Sequence, residues 1–354
     1  MARRIVKNAR TELLRESIRE ELLPPANTTR FPMVTVIICT RDRPDKLARC
    51  LKSVVALDAA TSGCPPAFEI LVVDNAPTDG ATREAVNAMS RVQYVCEPRP
   101  GLNFARNRAM REASGEILAY LDDDVVVDGG WLTSLLAAWA DNQDAAAFTG
   151  LVLPLQLSTR AQILFECRGG FRRGFRRIRY QGQDLPGNPL YPCGAGIFGT
   201  GANMAFRRDV LLRIGGFDEA LDTGPPLPGG GDLDIFYRMV RAGYPLVYDP
   251  GYLVFHEHRR DMDALGRQYR SWGLGLMAFI SKSCRTDHPR RSRFRRLIRW
   301  WFLDQLRQLL GSIRGRHAVP AGMLLAEILG GIVGLCGEYG RSLRRTGRIR
   351  RWGS

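Results

Sequence analysis

The chain has 354 residues, 45% hydrophobic and 25% charged, which excludes global disorder and collagen-like repeats and leaves one large domain or two. Its net charge of +15 is uneven: from Arg285 onward sixteen Arg stand against four acids, so the tail carries +12 and the first 284 residues only +3. Eight Cys are scattered with no C-x-x-C pair, so neither a zinc site nor a disulfide framework is expected and a reducing compartment is favoured. No apolar h-region follows the early Arg residues, so no signal peptide is expected.

Residues 2–23 place Ile5, Leu13, Leu14, Ile18, Leu22 and Leu23 among charges, which predicts an amphipathic helix ended by Pro24 and Pro25. The body opens at 34–39 (VTVIIC), an apolar run of strand length. Residues 44–57 carry Leu47, Cys50, Leu51 and Val54 at helical spacing, and 68–73 (FEILVV) read as a second buried strand closed by Asp74 and Asn75. A helix over 81–89, a strand over 92–95 and a helix over 103–113 follow. Next comes a strand over 116–121 that runs into Asp122, Asp123 and Asp124, then a helix over 131–139. Strands alternating with helices predict an α/β fold, a mostly parallel Rossmann-like sheet with helices on both faces. Ligands in such sheets bind at the carboxyl ends of the strands, and Thr40, Asp74, Asn75 and the three Asp of 122–124 all fall there.

The second half is less regular. A Gly- and Arg-rich stretch covers 168–179, and strands are expected at 203–206, 245–248 and 252–255. Helices are expected at 209–214 and 232–242, the latter behind a flexible Gly/Pro loop at 224–231.

Three consecutive carboxylates repel one another and need a compensating cation. Carboxylate oxygens with substrate phosphates suit Mg²⁺ or Mn²⁺. Asp122 and Asp124 would point the same way if the strand continued; the alternative is a solvated acidic turn. His256 and His258 share one face after the 252–255 strand, which makes His256 a metal or phosphate contact or an ordinary core histidine. Asp232 and Asp234 open a helix, where carboxylates act as caps or, beside a movable loop, as a general base. No Walker A or G-x-G-x-x-G motif follows the first strand, which argues against a P-loop NTPase or a dinucleotide dehydrogenase.

Taken together, 34–45 (VTVIICTRDRPD), 69–80 (EILVVDNAPTDG), 100–108 (PGLNFARNR), 115–124 (GEILAYLDDD), 201–209 (GANMAFRRD), 215–218 (GGFD) and 231–238 (GDLDIFYR) resemble the inverting nucleotide-sugar glycosyltransferases of family 2, with the A-type fold. The resemblance runs from about 34 to 275. It implies a nucleotide-sugar-binding half at 32–150 and an acceptor-binding half at 151–283, with extensions at 1–31 and 284–354. It also implies that Thr40, Asp74 and Asn75 line a nucleoside pocket, that Arg106 and Asp123 lie near the donor, and that Asp122 and Asp124 form a D-x-D metal pair. Asp232 matches the catalytic Asp. The sequence departs beside it: the family usually has Glu-Asp, and here Gly231 replaces the Glu, which makes Asp234 a rival. A catalytically silent nucleotide-sugar-binding module and a nucleotidyltransferase are the alternatives to an enzyme acting on a glycan or lipid-linked acceptor.

In the tail, 297–313 is rich in apolar and aromatic residues and suits a bilayer interface. Residues 318–337 approach spanning length but carry Glu327. Basic runs flank both segments, which suits anionic lipid at the cytoplasmic face of a membrane; two helices packed on the body are the alternative. Nucleic acid is not an expected partner, because the aromatic residues cluster on apolar stretches.

Overall fold

Four parallel strands form the first half of a nine-stranded sheet: β1 (Val34–Thr40), β2 (Phe68–Asn75), β3 (Val92–Glu97) and β4 (Ile117–Asp122), side by side in the order β3-β2-β1-β4. Their near-continuous apolar sequences follow from cover on both faces, and every residue of β1 is buried. The structure, a computed structural model, describes residues 32–57 and 68–352. The expected helix over 2–23, like the rest of 1–31, lies outside the described residues, as does Cys64.

Helices α1 (Pro44–Val55), α2 (Ala81–Asn87) and α3 (Leu102–Glu112) connect these strands. α1 starts on Pro44, whose missing N–H costs nothing at a first turn, and buries Leu47, Cys50, Leu51 and Val54. After β4 the chain makes β5 (Val125–Val127), α4 (Trp131–Asp141), β6 (Ala147–Pro154), α5 (Arg160–Cys167), β7 (Ile178–Tyr180) and β8 (Asn203–Arg207). Then come α6 (Arg208–Arg213), α7 (Gly231–Arg241) and β9 (Leu246–His256). β8 pairs antiparallel with β4 and β6, whereas β6 and β9 pair in parallel. The sheet is therefore mixed, with β1–β4, β6 and β9 running one way. It continues through both the 32–150 and the 151–283 segments.

β5, β6, β7 and α5 are not evident in the sequence, and the strands expected at 245–248 and 252–255 are one continuous β9. Tyr252 closes the gap between them. Its carbonyl accepts from Asn203 Nδ2 at 2.7 Å, and a Cβ at Gly150 of β6 would lie 1.7 Å from the same oxygen. A glycine in β6 is thus what lets the two backbones meet.

The last segment is helical: α8 (Met262–Thr286), α9 (Arg291–Ile313), α10 (Ala321–Val333) and, past a bend with Gly337 at φ +85°, α11 (Tyr339–Trp352). Part of it belongs to the core, since Phe294, Leu297, Trp301, Met323 and Leu324 are buried. α10 crosses α8 at backbone contact. A Cβ at Gly273 would lie 2.0 Å from the Glu327 carbonyl oxygen, and one at Gly330 would lie 2.0 Å from that of Arg270. Gly330, with Gly331 and Gly334 beside it, is therefore a packing residue. Residues 321–351 are the one helical run among the described residues long and apolar enough to cross a membrane. Its buried Glu327 pairs with Arg168 at 2.6 Å, and its buried Glu338 pairs with Arg341 and Arg345 at 2.7 Å each.

Candidate active site

Register brings the strand ends level: Thr40 lies opposite Asp74, and Cys39 opposite Asp122. β4 ends at Asp122, so Asp122 and Asp124 meet through the turn into β5 rather than along one strand. β5 pairs with β9 at Val125 and His256, which sets the imidazole beside that turn. One ligand atom from each of Asp122, Asp124 and His256 lies within 4.8 Å of the others, close enough to share one ion.

The electrostatics suit a cation. Burial and then the Asp124 charge push the Asp122 carboxyl up to about 6, with Arg106 and His256 opposing them. Burial also acts to raise Asp124, but His256, Arg259 and Lys46 outweigh it and hold this carboxyl below the usual range. A hydrogen-bonded chain runs behind the site. His256 Nδ1 lies 2.9 Å from His258 Nδ1, and His258 Nε2 lies 3.0 Å from Glu166 Oε1. Burial lowers the His258 pKa against the opposing Glu166 hydrogen bond, which favours neutral His258. Neutral His258 donating to Glu166 must accept from His256 Nδ1–H. That assignment leaves a lone pair on His256 Nε2, 3.2 Å from Asp124 Oδ1, and a divalent cation or a proton there removes the clash of two acceptors. The residues fit a divalent metal.

Asp123, between the two carboxylates, is buried and held from the other side. Its Oδ2 accepts from Thr40 Oγ1 at 2.7 Å and its Oδ1 from Arg43 Nη1 at 3.1 Å. Asp74 accepts from the Tyr94 hydroxyl at 3.0 Å through Oδ2, while its buried Oδ1 has no hydrogen-bond partner among the described residues. A buried acceptor of this kind awaits a donor. The Asn75 amide is engaged within the protein: Nδ2 donates to the Arg99 carbonyl and Oδ1 accepts from Gly101 N–H, both at 2.8 Å. Its role in the site is to hold the loop that launches α3.

A cavity of about 910 Å³ opens beside these groups. Of the residues singled out in the sequence, Asp122, Arg106 and Asp232 line it; Thr40, Asp74, Asn75, Asp123, Asp124 and His256 do not. The expected residues thus form a strand-end group and a cavity group, joined at Asp122. Arg106 is buried on α3, with Nη1 donating to Asn103 Oδ1 at 3.1 Å and its guanidinium over the Phe217 ring at 5.4 Å. Asp232 sits in the first turn of α7, where Oδ2 accepts from Gly201 N–H at 3.1 Å and Oδ1 from Leu233 N–H at 2.8 Å. Asp234 faces the other way, buried against Lys282 Nζ at 2.6 Å and Arg238 Nε at 2.8 Å.

Several cavity and site residues have no sequence signal. Asp222 and Arg173 line the cavity, as do Trp272, Trp300 and Trp301 from α8 and α9. Arg43, Lys46 and Arg259 ring Asp124 at 3.5–3.7 Å. Glu166 reaches His258 across 92 residues of sequence. A hydrophilic residue inside an apolar helix, as Glu166 is in α5, is the only hint such a contact leaves.

A mixed sheet with a carboxylate-rich strand end and an adjoining cavity defines an α/β protein of the A-type glycosyltransferase class. The same fold is found in a mannosyltransferase, PcManGT of Pyrobaculum calidifontis, solved with GDP-Man and Mn²⁺. The TM-score is 0.52 at 18% identity, over 99% of this chain and 93% of that one. Residues 35–215 match the sequence model of glycosyl transferase family 2, and the chain belongs to that family. Relatives include the pre-mycofactocin glycosyltransferase of Mycobacterium tuberculosis, 26% identical over 71% of this chain and 46% of that protein. Others are the succinoglycan biosynthesis protein ExoM of Rhizobium meliloti (27%, over 61% of this chain and 64% of that one) and the glucosyl-dolichyl phosphate glucuronosyltransferase of Haloferax volcanii (24%, over 52% and 56%). The chain spans about half the length of the curated relatives it matches.

Proposed function

We propose that this protein transfers a sugar from a nucleoside-diphosphate sugar to an acceptor hydroxyl, with inversion at the anomeric carbon, in cell-envelope polysaccharide or glycolipid synthesis. The observation that carries the reading is the cavity in which the Asp232 carboxylate, Arg106 and Asp122 meet at the carboxyl end of the sheet. Asp232 is the general base: it takes the acceptor hydroxyl proton as that oxygen bonds to the anomeric carbon and the bond to the diphosphate breaks. One displacement inverts the centre. The two backbone N–H groups of Gly201 and Leu233 fix the carboxylate's orientation. Arg106 offers positive charge to the departing diphosphate. Asp122, Asp124 and His256 would hold Mg²⁺ or Mn²⁺, which supplies charge neutralisation on the diphosphate when bound. Thr40 and Asp123 brace that turn, and the unpartnered Asp74 Oδ1 is available to a donor on the nucleobase or ribose.

The acceptor reading is a glycan or lipid-linked hydroxyl compound handled at the cytoplasmic face of a membrane. It is supported by α9 and α10, which expose Trp300, Leu303, Leu306, Leu310 and Ile313, and Leu325, Leu329 and Ile332, each at helical spacing on one face. Sixteen Arg among residues 285–354 suit anionic headgroups around that face.

The test is release of nucleoside diphosphate from a panel of nucleotide sugars with Mn²⁺ or Mg²⁺, with and without lipid-linked and soluble acceptors. Metal-dependent turnover of one donor supports the reading. Tight donor binding with no turnover on any acceptor would instead favour a binding module, for which the missing Glu at 231 speaks.

A further inference from the structure

Asp222 is a mostly buried carboxylate at the cavity wall that the mechanism above does not use. It stands in the loop before α7 with φ +55°, a left-handed backbone that Asp tolerates better than most residues. That backbone sends its side chain toward the start of α7. Oδ2 accepts from Gly231 N–H at 2.9 Å and lies 3.5 Å from Arg106 Nη1. On the main chain, the Asp222 carbonyl accepts from Leu102 N–H at 2.9 Å and so ties the loop to the start of α3, which carries Arg106. The space this carboxylate fills belongs geometrically to residue 231. A Cβ built on Gly231 would lie 2.1 Å from Asp222 Oδ2 and 2.4 Å from Asn103 Nδ2. A side chain at 231 would have to displace the Asp222 carboxylate first and the Asn103 amide as well.

Arg106 has a second option close by. A Cβ on Gly201 would lie 2.8 Å from Arg106 Nη2 and 3.7 Å from Asp232 Oδ2, so guanidinium and base face the same spot. An Arg106 without another anion would turn to Asp232 and occupy it. We propose that Asp222 supplies, from nine residues upstream in the loop leading into α7, the carboxylate that position 231 lacks, and that it is the counter-ion which holds Arg106 off Asp232 and leaves the base free. It is a positioning residue, since it acts through Arg106. Burial pushes the Asp222 carboxyl up to about 6, and the Arg106 charge is the main influence opposing that rise.

This inference rests on the glycosyltransferase reading for its kinetic half and on packing alone for its structural half, and the two are separable. Three variants are made: Asp222→Gly, Gly231→Glu, and the exchange of both. Gly suits the backbone at 222, so Asp222→Gly folds. The Tm series comes first. Gly231→Glu alone drives two carboxylates into one space and lowers Tm by several degrees; adding Asp222→Gly removes the nearer obstacle and recovers part of that loss, with the Asn103 amide still beside the new side chain. A Gly231→Glu protein as stable as wild type overturns the proposal whether or not the enzyme turns over. In turnover, Asp222→Gly lowers kcat by roughly 10- to 100-fold, the scale of a misplaced catalytic geometry, with donor KM near wild type. The exchange variant turns over faster than Asp222→Gly alone, which a merely structural role for Asp222 would not produce. Wild-type kcat in Asp222→Gly, or an exchange variant no better than that single variant, overturns the inference. A wild-type protein that turns over no donor overturns the functional reading instead.

Discussion

Asp232 and Asp234 stand two residues apart with opposite environments, and substitution by Asn should separate them cleanly. In Asp232→Asn the shape stays, but an amide cannot take a proton, and its NH₂ must face one of two backbone donors, Gly201 N–H or Leu233 N–H. Losing one such hydrogen bond costs about 1 kcal/mol. Removal of a general base lowers kcat by roughly 10²- to 10⁴-fold. Asp234→Asn removes a buried charge paired with Lys282 and Arg238. Breaking a buried pair costs about 3–5 kcal/mol. The low end applies here, because Lys282 keeps Asp218 at 2.7 Å and Arg238 keeps the Ile214 and Gly216 carbonyls. About 3 kcal/mol corresponds to a Tm drop of roughly 6 °C at the 2 °C per kcal/mol typical of larger domains. The assay pairs differential scanning fluorimetry with nucleotide release and with donor binding by calorimetry. Asp232→Asn is expected to keep Tm within about 2 °C of wild type, bind donor normally and turn over poorly. Asp234→Asn is expected to lose stability and, below its Tm, to retain activity. An active Asp232→Asn beside a stable but dead Asp234→Asn would refute the assignment.

Other consequences can be measured on the same protein. Glu166→Gln weakens the chain that orients His256, so Mn²⁺ affinity should fall by roughly 10- to 100-fold in a calorimetric titration while nucleotide-free Tm moves little. Burial raises Glu327 to about 7 against the opposing Arg168; the folded state therefore binds this proton more tightly than the unfolded chain. The stability it contributes is present below the unfolded pKa and is lost as pH rises from about 4.5 through about 7. Glu327→Gln should flatten the fall, worth up to about 3 kcal/mol at pH 8 relative to pH 4.5, in denaturant melts at the two pH values. Leu306→Glu with Ile313→Glu alters only exposed positions of α9 and should weaken binding to anionic vesicles without changing Tm; wild-type binding should also weaken at high salt.

Legibility followed the range of the contacts. Strands β1, β2 and β4 are readable because burial on both faces writes an unbroken apolar run, and their polar ends follow directly as the ligand side of the sheet. Asp232 is legible in the local pattern of a Gly loop and a helix start together with the family likeness. β6 is not legible because its alternation is broken by Gly150, whose reason is the Tyr252 carbonyl about a hundred residues away. Asp222 is silent in the sequence for a similar cause. Nothing near it in sequence marks a left-handed aspartate aimed nine residues ahead at Gly231, and only the fold shows that the empty position and the added carboxylate share one space.

The C-terminal segment carries the same lesson into function. Its composition suggests a membrane attachment separable from the enzyme, yet Phe294, Leu297 and Trp301 are core residues and Leu297, Trp300, Trp301 and Glu327 are cavity walls. Removing it would unmake the site, so attachment has to be tested by surface substitution. One helix, α9, would serve both. Trp300 is half-exposed and also lines the cavity, so the wall of the cavity and the surface of the protein coincide there. The exposed row Leu303, Leu306, Leu310 and Ile313 continues along the helix from that point. A bilayer that received this row would lie at the cavity's edge, and an acceptor anchored in the bilayer could present its hydroxyl to Asp232 without leaving it. A soluble acceptor gains nothing from that arrangement. Vesicle-borne acceptors should therefore lose turnover with Leu306→Glu and Ile313→Glu, while turnover of a soluble analogue with the same head group should not change.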